Sequence, residues 1–241
     1  NKQSDFYARI CKHYRLTLAG KIEKDGMAKS AFLILEALLR LRQAACHPGL
    51  IDHKLLDAGV SSSAKLEALF SHLSEVLEEG HRVLVFSQFT SFLAIVKAEM
   101  EKRGIPFHYL DGKTRKRQES VQAFQNDRSA GVFLLSLKAG GLGLNLTAAD
   151  YVFVLDPWWN PAAERQAVDR AHRMGQSRPV FAYRLIAKGT VEEKIMALQD
   201  RKRNVASAIL NADRSLIRSM SRDDLDGLLE FGQTGGATNL T

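Results

Sequence analysis

The stretch VFLLSLKAGGLGLNL, residues 132–146, carries the clearest indication of the fold. It opens with the apolar run Val132–Leu135 and passes within a few residues into a cluster of glycines. A short continuous apolar run that ends in turn residues is typical of a strand buried on both faces of a parallel sheet. Glycines placed after such a strand let the backbone approach a ligand closely, although glycine-rich turns are also frequent in any α/β protein.

The same alternation of short apolar runs and helical stretches extends in both directions, from about residue 65 to 210. Strands are predicted at Val83–Phe86, Pro106–Leu110, Val132–Leu135, Tyr151–Leu155 and Val180–Leu185, and helices near 65–79, 90–103, 114–126, 160–174 and 190–210. This pattern predicts an α/β fold, an open parallel sheet with right-handed crossovers and helices on both faces. Before it, residues 5–18 and 27–46 show helical spacing, and the CHPG run at 46–49 ends the second helix.

The composition is that of a folded, basic protein. The 241 residues are 45% hydrophobic, and 34 Lys and Arg against 27 Asp and Glu give a net charge of +7. This excess favours a polyanionic partner, and a solvated surface explains it equally well.

Cys11 and Cys46 form no CxxC pair and no signal segment precedes them, which predicts a reducing, intracellular location and argues against a structural zinc site. No apolar stretch approaches the roughly 18 residues of a membrane span.

Polar residues follow the predicted strands at one edge of the sheet. They are Ser87–Gln88, Asp111–Gly112, the Ser136–Gly143 segment and the Asp156–Pro161 segment. Ligands of open α/β sheets bind outside the carboxyl ends of the strands, so this placement predicts a functional site there. Ser136 and Lys138 supply a hydroxyl and an ammonium group suited to a phosphodiester backbone, and we assign Gly141 and Gly143 to the nucleotide side of the site.

A helix is predicted to begin at Asn160 and Pro161, a good N-cap followed by a residue suited to the first helical position. On this helix Gln166, Arg170 and Arg173 lie at offsets of four and three residues and therefore share one face. An exposed basic face is the ordinary explanation of such arginines. A planar guanidinium aimed at a cleft is also what stabilises charge on a transferring phosphoryl group, and we favour that role.

The basic run of YLDGKTRKRQESVQAF, residues 109–124, crowds the start of another predicted helix. Cations at a helix N-terminus oppose the helix dipole, so the run indicates that an anion binds there; a solvated run of charge is the alternative. Thr114 lies where a strand gives way to a helix, which suits a phosphate contact.

Two sequences imitate parts of an ATP site. Gly112–Thr114 resembles the end of a phosphate-binding loop, but Phe107 occupies the place of the required first glycine. The DRAH run at 169–172 has Arg where a magnesium-binding acid would stand. The chain therefore lacks both the phosphate loop and the metal-binding acids, and we predict that it holds no metal and does not hydrolyse ATP alone.

Taken in order, the motifs identify a family. VLVFSQFT (83–90), the LDG run with its following Arg and Phe, SLKAGGLGLNL (136–146), DPWWNP (156–161), QAVDRAHRMGQ (166–176) and YRLIAKGTVEEKI (183–195) resemble the C-terminal motor lobe of the Swi/Snf-type branch of superfamily two helicase-like ATPases. LRQAACHPGL (41–50) resembles the helical insertion before that lobe. The ordered set is far more specific than any single motif.

The resemblance implies a RecA-like second lobe that closes on a first lobe holding ATP and Mg²⁺, in an enzyme that moves along double-stranded DNA. In this chain Arg170 and Arg173 would face the nucleotide with Gln166 beside them. The residues that resemble strand-backbone contacts are Gln88, Thr114, Arg117, Ser136 and Lys138. Leu137 and Lys113 depart from the family pattern, where Thr and a small hydroxyl residue are common, which weakens the assignment of individual DNA contacts.

The implied organisation is a helical insertion at 1–62, a RecA-like lobe at 63–200 and a helical brace with a mobile tail at 201–241, with the Ser61–Ser63 run as a linker or a helix cap.

The expected partners are double-stranded DNA, an upstream first lobe of the same polypeptide and protein substrates on DNA, with no membrane. The location would be cytoplasmic in a prokaryote and nuclear in a eukaryote. Two alternatives are an ATP-independent nucleic-acid-binding module and a metabolic enzyme that uses a nucleotide, although the latter's GxGxxG fingerprint is absent.

Overall fold

The computed structural model describes residues 2–57, 62–127, 129–140, 144–157, 165–166, 168–169, 171, 178–203 and 220–231. The chain separates into two compact units. One comprises Asn1–Val60 with Ala187–Thr241, and the other comprises Ser61–Ile186. The predicted boundaries near 62 and 200 stay a prediction.

The unit Ser61–Ile186 is an α/β fold. Its elements are α4 (Ala64–Glu78), β1 (Val83–Ser87), α5 (Thr90–Arg103), β2 (Phe107–Leu110), α6 (Arg117–Asn126), β3 (Val132–Ser136), α7 (Leu137–Gly140), β4 (Tyr151–Val154) and β5 (Phe181–Arg184). The strands pair in the order β2-β3-β1-β4-β5, and every pairing is parallel. The predicted open parallel sheet is therefore confirmed.

Helices cover both faces of this sheet. Alternate residues of a strand point to opposite faces, and every residue of β1 and of β3 is buried. On one face, Phe86 and Leu135 share a core with Phe124 of α6. On the other face, the His72 ring of α4 stacks on Phe153 with 6.0 Å between the ring centroids.

Two boundaries differ from the prediction in an informative way. The helix predicted over 114–126 begins only at Arg117, because the Asp111 carboxylate accepts the backbone N–H groups of Lys113 and Thr114 and holds those residues in a turn. The short helix α7 directly after β3 was not predicted. At α4, the Ser63 hydroxyl accepts the N–H of Leu66 at 3.3 Å, so this serine is a helix cap.

The other unit is helical in the described residues. Its elements are α1 (Lys2–Lys29, with non-helical backbone at Gly26), α2 (Ala31–Cys46), the 3₁₀ turn Pro48–Leu50, α3 (Lys54–Asp57), α8 (Val191–Arg203) and α9 (Arg222–Leu229). The predicted helices over 5–18 and 27–46 are confirmed. The helix predicted over 190–210 is seen over Val191–Arg203 as α8, and residues 204–210 lie outside the described residues. Of the brace and tail predicted at 201–241, the structure describes 201–203 and 220–231.

Helix α8 packs with the N-terminal helices in this unit. The Tyr7 hydroxyl accepts the N–H of Val191 at 2.7 Å, and the buried Glu192 accepts the N–H of Ala187 at 3.1 Å and lies 3.7 Å from the Cys46 sulfur. Both cysteines are buried thiols. In the part of the chain described, no helix combines the length and the apolar character needed to cross a membrane.

Candidate functional site

The carboxyl ends of the strands bring the predicted site residues to one edge of the sheet. Ser87 ends β1 and Ser136 ends β3, and the strand register places these two serines side by side. Asp111 follows β2, and Asp156 follows β4 after one residue. This juxtaposition is what the sequence predicted from the carboxyl-end rule for open α/β sheets.

A buried network ties three elements together at this edge. We call Lys65, Ser87 and Asp156 the strand-end network. The Asp156 carboxylate accepts the Ser87 hydroxyl through one oxygen and the backbone N–H of Gln88, at 3.1 Å, through the other. The Lys65 ammonium group donates to the carbonyl oxygen of Leu155 at 2.6 Å. All three side chains of the network are buried, so these bonds replace contacts with water.

Gln88 is held at the centre of this edge. Its backbone is fixed by Asp156, whereas its side-chain Nε2 is buried and has no hydrogen-bond partner among the described residues. A buried donor without a partner costs about 1–3 kcal/mol. A change of rotamer that brought this nitrogen out to a phosphate oxygen would remove that cost, and the DNA contact predicted for Gln88 requires such a change.

Thr114 and Arg117 meet in the turn after β2. Oδ1 of Asp111 accepts the N–H groups of Lys113 at 2.9 Å and of Thr114 at 3.1 Å, and the Thr114 hydroxyl lies 3.2 Å from the same oxygen. Burial alone would raise the pKa of Asp111, but these hydrogen bonds outweigh it and the pKa lies below its ordinary value. Arg117 donates to the carbonyl oxygens of Thr114 and Gly112, each at 3.2 Å. Both predicted contact residues thus also stabilise the turn that carries them.

Ser136 and Lys138 differ in accessibility. Only 3% of Ser136 is exposed, and its hydroxyl oxygen accepts the N–H of Ala139 at 3.2 Å, so this side chain caps α7. Lys138 is exposed on α7 beside it. The ammonium group of Lys138 is therefore an accessible cation at this end of β3.

The predicted arginine helix is described only in part. Arg170 and Arg173 lie outside the described residues, as do Gly141 and Gly143. Ala171 is fully buried in the core with the sheet residues and Val168 packs against it, whereas Gln166 is exposed. Arg165, Gln166 and Val168 are helical, whereas Asp169 and Ala171 form a turn, so the helix predicted over 160–174 is not regular at the described residues. Ala171 packs against the sheet, and Gln166, from the predicted functional face, points away from the core.

No three or more His, Cys, Asp or Glu residues in the described part of the chain come together in a way that could hold a metal ion. Sequence reasoning missed the burial of Lys65 and the two bonds of Asp156. A buried Asp after a strand gives a weak signal, and Lys65 gives none, because a lysine in the first turn of a helix is usually solvated.

Comparison with known proteins extends these observations. A model of the helicase conserved C-terminal domain matches residues 64–175. The solved C-terminal domain of the Sulfolobus solfataricus SWI2/SNF2 ATPase is 32% identical to the chain with a TM-score of 0.75, and the match covers 94% of this chain and 93% of that one. This chain belongs to the Swi/Snf family of helicase-like ATPases. It corresponds to the family's C-terminal lobe, and the predicted RecA-like fold is confirmed.

In two further relatives, the part that matches this Swi/Snf lobe belongs to a longer protein. The S. solfataricus SWI2/SNF2 ATPase core, solved in complex with double-stranded DNA, is 31% identical with a TM-score of 0.79, and the match covers 96% of this chain and 48% of that one. An uncharacterized ATP-dependent helicase of Mycoplasma pneumoniae is 37% identical over 209 residues, which is 86% of this chain. The Swi/Snf lobe spans 20% of the length of that helicase.

Proposed function

We propose that the chain is the second motor lobe of an ATP-dependent translocase that moves on double-stranded DNA. In this proposal a first lobe of the same polypeptide holds ATP and Mg²⁺. The lobe described here supplies Arg170 and Arg173 to the nucleotide, with Gln166 beside them, and binds the DNA backbone. Protein–DNA complexes are the objects it would remodel, and its location follows from its DNA: the cytoplasm of a prokaryote or the nucleus of a eukaryote.

The observation that carries the proposal is the gathering of phosphate-compatible donors at one edge of the sheet. Gln88, Thr114 and Lys138 follow different strands, and each brings an amide, hydroxyl or ammonium group to the edge where ligands of such sheets bind. Donors of these kinds fix the register of a protein on a nucleic acid without reading its sequence. A motor that moves along any DNA must bind in a way that does not depend on the base sequence.

The arginines would act on the nucleotide from the neighbouring segment. Ala171 is packed in the sheet core and Gln166 is exposed, so the side of this segment that carries Gln166 lies away from the sheet, and in this proposal Arg170 and Arg173 lie on that side. Closure of two lobes would then bring the guanidinium groups to the γ-phosphate held on the other side. There they would stabilise charge that develops during phosphoryl transfer.

Binding through the DNA backbone predicts a steep and measurable salt dependence. In the protein that carries both lobes, log affinity should fall by about 0.9 per neutralised phosphate for each log unit of salt. Lys138→Ala should lower that slope by about one and weaken binding to all DNA sequences alike. The measurement is a titration of duplexes of unrelated sequence at several salt concentrations.

Lys102→Ala is the matched control for this titration. Lys102 is an exposed lysine in the last turn of α5, where the chain returns to the opposite edge of the sheet to begin β2. Its replacement should leave the slope unchanged. An equal slope for Lys138→Ala and the parent would remove Lys138 from the DNA interface, and strong preference for one duplex sequence would contradict binding through the backbone.

A further inference from the structure

Asp156 is a buried carboxylate to which the motifs give no function. It is fully buried, and its two oxygens accept different donors, the hydroxyl of Ser87 and the backbone N–H of Gln88. A buried carboxylate is tolerated only where such donors satisfy it. Both donors belong to the end of β1, so Asp156 fixes the backbone at the point where that strand passes into the Gln88 segment.

Asp156 lies in the chain between β4 and the segment that carries the predicted arginines. On one side it follows β4 and Leu155, and Lys65 donates to the carbonyl oxygen of Leu155. On the other side the chain runs from Asp156 toward the segment of Gln166, Arg170 and Arg173. One carboxylate therefore joins the β1 end, which carries a predicted DNA contact, to the segment that leads to the nucleotide-facing arginines.

Gln88 is the residue bonded to Asp156 that is predicted to contact DNA. Its backbone is held by Asp156, and its Nε2 lies buried without a hydrogen-bond partner among the described residues. A phosphate oxygen would satisfy that nitrogen. A backbone fixed in this way limits the contact to one geometry, because displacement of the Gln88 segment would strain the bonds to Asp156.

We propose that Asp156 is a positioning residue that holds Gln88 against a DNA phosphate and thereby couples DNA binding to ATP turnover. This inference rests on the proposed function, since it requires DNA-stimulated hydrolysis by the protein that carries both lobes. Asp156 touches neither DNA nor nucleotide in this proposal. It acts through the backbone of Gln88.

The test is a double-mutant cycle in the two-lobed protein. The variants are Asp156→Ala, Gln88→Ala and both together, and the readouts are the DNA concentration that gives half-maximal stimulation of ATP turnover and the KM for ATP. Each single change should raise the half-stimulating DNA concentration about tenfold or more, because hydrogen bonds to charged groups are involved. The double variant should be no worse than the more affected single variant, and the KM for ATP should stay within about twofold.

Asp150→Ala is the matched control. Asp150 is also a buried aspartate, and it accepts the N–H of Arg82 at 3.0 Å, so it joins the beginnings of β1 and β4 as Asp156 joins their ends. Its loss should lower stability, since His81 and Arg178 also pair with it, but should not change the half-stimulating DNA concentration. A general structural effect would move this value in both variants alike.

Asp156→Asn tests whether the two hydrogen bonds made by residue 156, and not its charge, hold Gln88 in place. An asparagine can accept the Gln88 N–H and donate to the Ser87 oxygen, so we expect it to restore the half-stimulating DNA concentration to within about threefold of the parent. If Asp156→Ala does not fold, Ser87→Ala replaces it in the cycle, because that change removes one of the two bonds.

Additive effects of the two changes, or an equal effect of Asp150→Ala, would overturn the inference. A parent protein without DNA-stimulated turnover would overturn the proposed function itself, which is a distinct result.

Discussion

Replacement of either Arg170 or Arg173 by alanine, in the protein that carries both lobes, is expected to lower DNA-stimulated ATP turnover by about 10³ to 10⁵. ATP binding should stay largely intact, because the first lobe holds the ground-state nucleotide. The guanidinium groups would reach the γ-phosphate only on closure, while charge is redistributing. Their contribution therefore belongs to the transition state and should appear in the rate of turnover.

The size of this effect distinguishes a catalytic arginine from a surface charge. An exposed ion pair contributes about 0–1 kcal/mol, far below the 4–7 kcal/mol that corresponds to an arginine finger. Lysine should not rescue either position, since a point charge does not reproduce the planar fork of the guanidinium group. The measurement is turnover at saturating DNA, beside a nucleotide-binding titration and a thermal melt of each variant.

Arg165→Ala provides the control on the same segment. Arg165 is exposed and immediately precedes Gln166, so on a helix it points about 100° away from the predicted functional face. Its loss should change turnover by less than about threefold. Arg170→Ala and Arg173→Ala proteins that fold normally and retain turnover within about tenfold of the parent would identify both arginines as surface charge.

The sheet was predictable because each strand carries its own signal. Val132–Leu135 is a continuous apolar run, and the observed β3 contains all of it with both faces buried. The order of the strands along the sheet could not be obtained from these runs, because it depends on which helices cross over to which face. The start of α6 was misplaced because the Asp111 carboxylate competes for the backbone N–H groups that a helix would otherwise use.

The site was predictable in its location and much less in its contacts. The carboxyl-end rule placed Gln88, Thr114 and Lys138 at one edge. It could not show that Nε2 of Gln88 is buried, that Ser136 caps α7, or that Lys65 and Asp156 support neighbouring strand ends. Those properties arise when residues distant in the sequence pack together, and no local pattern of polar and apolar residues encodes them.

ATP turnover by residues 1–241 alone, with double-stranded DNA and Mg²⁺, tests most directly whether this chain is one half of a motor. The sequence offers Phe107 where a phosphate loop needs glycine and an arginine where a metal-binding acid would stand, so nothing in the chain positions the phosphates and the metal ion for hydrolysis. We predict no turnover above background with or without DNA, beside clear DNA-stimulated turnover by the two-lobed protein measured in parallel. Robust DNA-stimulated hydrolysis by the isolated chain would contradict the assignment of a second motor lobe that completes an ATP site held elsewhere.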